Sequence, residues 1–159
     1  MSEAEILSVI RAQEDAIARG DARSSFEAMS ADVVVFDLPP PLEYQGEQAR
    51  DVEGTNSWFA TWRNGVTVRL SEPQIIIEGD LAVAFGLSRM TGVKTDGTAV
   101  DSWSRRTVVL MRIAGCWKIV HDHASFPMAM DGSGRAMTEL LPQSHEQRDG
   151  EGCGSLTPK

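Results

Sequence analysis

Ile6, Ile10, Gln13 and Ile17, with Leu7 and Ala16 one turn offset, recur at helical spacing. Ser2 followed by Glu5 forms a capping box that opens this helix, and Gly20 is a natural stop. Asp21 then caps a short second helix carrying Phe26 and Met29. The β-branched and aromatic run Val33 to Phe36 predicts a strand. It ends at Asp37-Leu38-Pro39-Pro40-Pro41, because three prolines cannot continue a ladder. After Tyr44-Gln45-Gly46, the spacing of Val52, Phe59 and Trp62 predicts a third helix from Glu47 to Trp62, weakened at Gly54. Asn64-Gly65 breaks that pattern, and the period changes from helical to alternating.

The alternating stretches predict strands at Val66 to Leu70, Gln74 to Glu78, Leu81 to Lys94, Thr98 to Ile113 and Cys116 to Phe126. Asp96-Gly97 and Ala114-Gly115 are the hairpin signals among them. Helix, helix, strand, helix and then a run of antiparallel strands favours an α+β class, with the helices packed on one face of a bent sheet. Residues 1–142 form the domain on this reading. Residues 143–159 are polar, charged and glycine-rich, which predicts a flexible tail.

A two-residue turn at each hairpin signal fixes a register. Met90 then faces Trp103, Ser88 faces Arg105, Gly86 faces Thr107, and Asp122 faces Thr107 from the other side. One face of the sheet would collect Ala82, Ala84, Gly86, Ser88, Met90, Trp103, Arg105, Thr107, Val109, Val120, Asp122, Ala124 and Phe126. Its middle strand is made of small residues, which under a helix layer leaves room for a pocket. Arg105 lies diagonally from Asp122, within reach of an ion pair. The other face would collect Leu81, Val83, Phe85, Leu87, Val108, Leu110, Trp117, Ile119, His121 and His123, and its bulk calls for a second subunit as cover. The opposite assignment of faces is open, and one bulge would flip the parity of a strand.

Composition narrows the function classes. The 159 residues suit one domain, with 42% apolar and 24% charged residues in the ordinary globular range. The net charge of -8 and the lack of a basic cluster argue against nucleic acid. No apolar run approaches membrane-spanning length, and the acidic start lacks the pattern of a signal peptide. Cys116 and Cys153 lie far apart and read as reduced thiols of a cytoplasmic protein.

Three stretches carry a family resemblance: Arg19-Gly20-Asp21; Phe36 through Gly46; and above all Trp103-Ser104-Arg105-Arg106-Thr107 with Trp117 through Pro127. On these the chain resembles the NTF2-like superfamily, in particular its SnoaL-like and ketosteroid-isomerase-like branch, from about Glu3 to Pro142. The resemblance implies an NTF2-like cone: three N-terminal helices packed on a strongly curved antiparallel sheet, with a pocket between them. It also implies a homodimer formed through the sheet. In the isomerase a strand carboxylate is the base, while a tyrosine and a protonated aspartic acid hold the enolate oxygen. Asp37 stands at the position of the base. Gln13 and Val109 stand where the two oxygen-holding residues would be, so that pair is missing here.

Each candidate has a functional and a plain reading. Asp37 is either a general base on a pocket wall or a strand end leading into a proline turn. Asp122 with Arg105 is either a catalytic acid held by its cation or a structural pair. His123 and His121, two residues apart, are too few for a metal site, and none is expected. Trp58 and Trp62 line the cavity or belong to an ordinary core, and Tyr44 either points into the mouth or anchors its loop.

Two function classes result. The first is a cofactor-free isomerase, cyclase or dehydratase acting on a small hydrophobic carbonyl compound. Its catalytic group is Asp37, Asp122, Arg105 and His123, and its substrate is lined by Tyr44, Trp58, Trp62, Met90, Trp103, Thr107 and Phe126. The second is a non-catalytic ligand-binding or dimeric association module of the same fold.

Overall fold

A computed structural model describes residues 2–143. Helix α1 spans Glu3–Ala18, with the capping box at Ser2 and Glu5 in place. Helix α2 is one turn, Ala22–Ser25, and the Asp21 side chain accepts from the Ser24 N–H as its cap. Strand β1 runs Met29–Phe36, β2 is the pair Tyr44–Gln45, and α3 is Val52–Phe59. Strands β3 (Trp62–Glu78), β4 (Leu81–Lys94), β5 (Ala99–Ile113) and β6 (Cys116–Ser125) complete the chain. They form one curved, unclosed six-stranded sheet in the order β2-β1-β6-β5-β4-β3. All neighbours are antiparallel except β1 and β6, which are parallel, so the sheet is mixed.

The third helix is shorter than its spacing predicts. A single 3₁₀ turn, Gln48–Arg50, precedes α3, and Trp62 belongs to β3. The two strands expected between Val66 and Glu78 are one, interrupted between Ser71 and Gln74 where Glu72 takes a positive φ of 40° beside Pro73. The expected flexible tail lies outside the described residues save for Gln143.

The register of the central strands differs by one residue from the expectation. The Asp96-Gly97 hairpin has a three-residue loop, Thr95 to Gly97, with Gly97 at φ 92°. Val93 therefore pairs with Ala99, Ser88 with Ser104 and Gly86 with Arg106. Ala114-Gly115 is the expected two-residue turn, with positive φ at both residues. A bulge at Val120 then shifts the β5–β6 pairing between Val109 and Leu110. Together these place Arg106, Val108, Leu110, Ile119 and Asp122 on the face that carries Ala82, Ala84 and Ser88.

That face meets α1. Ile6, Ile10, Val33, Leu70, Ala82, Ala84, Val108, Leu110, Trp117 and Ile119 form the core cluster. The small residues of β4 thus answer to packed protein, not to a hollow. Ala82 and Ala84 sit in the core with Ile6 and Ile10. A Cβ at Gly92 would come within 2.8 Å of the Trp62 ring, and one at Gly86 within 3.3 Å of the Ser71 carbonyl oxygen. Cys116, at the β5–β6 turn, is exposed and no part of the core.

Candidate functional site

Strand β1 alternates Val33 and Val35 toward the core, and Asp37 continues that alternation one step beyond the strand. Val35 pairs with Asp122 across the parallel β1–β6 ladder. Asp37 and Asp122 are therefore neighbours on the inner face. Asp122 is 13% exposed and Arg106 is 7% exposed.

Arg106 lies buried behind Asp122. Its Nε and Nη2 donate to the two carboxylate oxygens of Asp122 at 3.0 and 2.7 Å, a bidentate grip. Nη2 also donates to the Gln13 Oε1 at 2.7 Å, and Nη1 to the Glu14 Oε1 at 3.4 Å. Glu14, on α1, is only 2% exposed. Its oxygens also accept from the Leu70 N–H at 2.8 Å and from Arg11, and Arg69 lies 3.6 Å away. A buried carboxylate is tolerated only with such partners. Burial works against the Arg106 charge, yet Asp122, Glu14 and Asp37 together push its pKa up, so it stays a guanidinium.

Asp37 has no such grip. Its Oδ1 accepts from the Leu38 N–H at 2.7 Å. Burial raises its pKa above the ordinary value of 3.8; the Leu38 N–H pulls it down, the Asp122 charge raises it again, and Arg106 lowers it. The residue is crowded by protein on one side, while more than a third of its surface meets water on the other. It opens on a groove of about 1130 Å³ lined by Phe36, Leu38, the three prolines, Leu42, His123 and Ala124. A second groove of about 850 Å³, between Tyr44, Arg50 and the start of α3, contains neither acid.

The structure brings together only part of the expected catalytic group. Asp37 and Asp122 share the inner face. Arg105 is exposed on the outer face, where its Nε reaches the Ser125 hydroxyl at 3.2 Å and its Nη2 the Phe126 carbonyl. His123 points outward as well, stacks edge-on against Phe36 at 5.3 Å and with it lines one side of the groove. His121 donates its Nδ1–H to the Val34 carbonyl, 2.8 Å away. Among the described residues no group of three His, Cys, Asp or Glu is placed to hold a metal.

The expected substrate-lining residues are scattered. Tyr44 donates its hydroxyl to the Pro40 carbonyl at 2.9 Å and so braces the proline loop. Trp58 and Trp62 stack at 5.8 Å, and Lys94 lies 3.6 Å over the Trp62 ring. Met90 is on the inner face, half-buried near the far end of β4, opposite Ser102. Trp103, under Arg89 at 5.5 Å, and Thr107, opposite His123, are on the outer face. Phe126 enters only through its carbonyl.

Arg106 and Glu14 are the residues the sequence reading left out. Glu14 follows Ile6 and Ile10 at steps of four, a charge on the apolar stripe of α1, and that was its signal. Arg106 differs from Arg105 by one place, which only the register decides.

A sequence profile of the SnoaL-like domain matches residues 6–129. No curated protein sequence matches the chain. Among solved structures, an NTF2-like protein of unknown function from Pseudomonas putida KT2440 superposes with a TM-score of 0.76 at 25% identity, covering 88% of this chain and 96% of that one. A Shewanella frigidimarina protein provisionally named a ketosteroid isomerase gives 0.59 at 26% identity over 74% and 92%. The association domain of a Caenorhabditis elegans kinase, CaMKII, gives 0.60 at 22% identity over 77% and 94%, a likeness of fold alone.

Proposed function

Because the chain belongs to the SnoaL-like domain family of the NTF2-like superfamily, we propose that it is a cofactor-free acid–base catalyst acting on a small, apolar carbonyl compound, with Asp37 as the base. The observation that carries this reading is the setting of Asp37. It is a carboxylate with raised proton affinity at the mouth of an apolar groove, next to a second carboxylate that is already paired with Arg106. A base of this kind takes a proton from the carbon beside the carbonyl. The C–H bond breaks, the proton passes to Asp37, and the electron pair moves onto the carbonyl oxygen as an enolate. Where the substrate carries a β,γ C=C bond, the enolate is conjugated with it; return of the proton to the γ carbon, with the double bond shifting to α,β and the carbonyl re-forming, completes an isomerisation. Arg106 uses four of its five N–H donors on Asp122, Gln13 and Glu14, so its contribution is mainly charge behind the site. Arg105 and His123 have no part in the proton transfer on this reading.

Deuterium uptake from heavy water into a panel of apolar cyclic ketones, followed by proton NMR, tests the proposal. The protein should speed exchange beside the carbonyl, and Asp37→Asn should remove at least about 99% of the effect. Equal exchange by both proteins would remove Asp37 from the reaction.

A second reading rests on a different observation. The outer face of the sheet exposes Ile76, Leu81, Leu87, Met111 and Ile113 beside half-buried Val83, Phe85 and Val109. An apolar sheet face of this kind fits a homodimer or an association module. The exposed apolar residues of this face are not among those lining the Asp37 groove, so a dimer and a catalyst are compatible.

A further inference from the structure

We infer that Arg106 is the positioning residue of this site: clamped to α1 through Gln13 and Glu14, it holds the Asp122 carboxylate beside Asp37 and thereby sets how tightly Asp37 keeps its proton. The inference rests on the reading of Asp37 as the base, and it names what tunes that base. The geometry is a chain of contacts across three elements. Helix α1 supplies Gln13 and Glu14, β5 supplies Arg106, and β6 supplies Asp122. Asp122 then stands opposite Val35, two residues before Asp37 on the same face.

A clamp with this many fixed points does more than fill space. A guanidinium held by one carboxylate can swing toward another acid. Arg106 cannot, because its fork is spent on Asp122 and two of its three remaining donors are tied to α1. Asp37 is thus left as the acid of the group without a cation of its own. The charged groups facing it are Arg106 from β5 and Asp122 from β6, with Glu14 behind Arg106 on α1. Glu43 and His123 share its groove. Arg106 and Asp122 act on Asp37 in opposite directions, so removing either one unbalances the site in a predictable sense. Without the Asp122 charge, Arg106 dominates and Asp37 becomes a stronger acid. Without the full grip of Arg106, the neighbouring carboxylates repel and Asp37 becomes a weaker one.

The test is the titration of the Asp37 side-chain carboxyl carbon by NMR in full-length protein, which needs no substrate. Asp122→Asn keeps the size of the side chain and one acceptor for Arg106. It should move the Asp37 midpoint down by about half a pH unit or more, and Arg106→Lys, which breaks the bidentate fork, should move it up. An unmoved midpoint in both variants would overturn the inference. So would loss of the fold in Asp122→Asn, since that assigns the clamp to structure alone. A midpoint that moves as expected in a protein with no carbon-acid exchange would retire the proposed activity and leave the clamp standing.

Discussion

Arg106 grips Asp122 through two parallel hydrogen bonds of 3.0 and 2.7 Å, and it also reaches Gln13 and Glu14 on the first helix. The pair joins neighbouring strands, and through Gln13 and Glu14 it also joins the sheet to α1. Removing the cation leaves the buried Glu14 and the half-buried Asp122 carboxylates without the partner they share. Arg106→Met should therefore cost about 3–5 kcal/mol in urea unfolding at neutral pH. Arg105→Ala, one residue away on the exposed outer face, should cost no more than about 0.5 kcal/mol. Equal costs for the two would contradict the register.

Glu14 receives the Leu70 N–H and two arginines, so its loss frees a backbone donor as well as charges. Glu14→Ala should destabilise by about 3–5 kcal/mol, while Glu14→Gln, which keeps an acceptor for Leu70, should cost visibly less. Thermal unfolding of the two variants side by side checks the order.

Asp37 works against stability at neutral pH. Its folded proton affinity is raised, so its contribution is fully present below the ordinary value of 3.8 and is lost as pH rises through the folded midpoint. Asp37→Asn removes that loss. The variant should gain on the wild type as pH climbs from about 3 to 7, by less than about 1 kcal/mol because the residue is partly solvated. A gap that shrinks over the same range would mean that Asp37 is held as an anion.

Gly92 is small because Trp62 fills the space above it. Gly92→Ala should overpack that contact and cost about 1–3 kcal/mol, measurable as a lower Tm, with a change in the fluorescence of Trp62. If a void lay there instead, the substitution would be neutral.

If the outer sheet face is a dimer interface, a charge at its centre should weaken it. Leu87→Glu is expected to raise the dissociation constant at least about tenfold by sedimentation, equivalent to about 1.4 kcal/mol. A wild-type protein that stays monomeric at every concentration would end this reading of the face.

Much of this architecture can be read from the chain. The caps at Ser2 and Asp21, the proline stop after Phe36 and the two hairpin turns all follow from local chemistry, and the structure has them. The small inner face of β4 was also legible, since alternation along one strand needs no partner. What failed was the alignment of one strand against another. An Asp-Gly pair fits both a two-residue turn and a three-residue loop with glycine last, and the choice moves every partner by one. The bulge at Val120 has no residue signature at all. Arg105 and Arg106 are identical in type, so nothing local could say which one faced Asp122. Asp37 needed no register, because it follows from β1 alone, and Glu14 was available as a charge on an apolar helical stripe.

The most direct measurement of the central claim is the titration of the Asp37 carboxyl carbon in the unmodified protein. A midpoint clearly above 3.8 is what a base crowded against an apolar groove and a neighbouring carboxylate should show. A midpoint at or below that value would mark Asp37 as an ordinary turn residue and remove the basis for acid–base chemistry at this site.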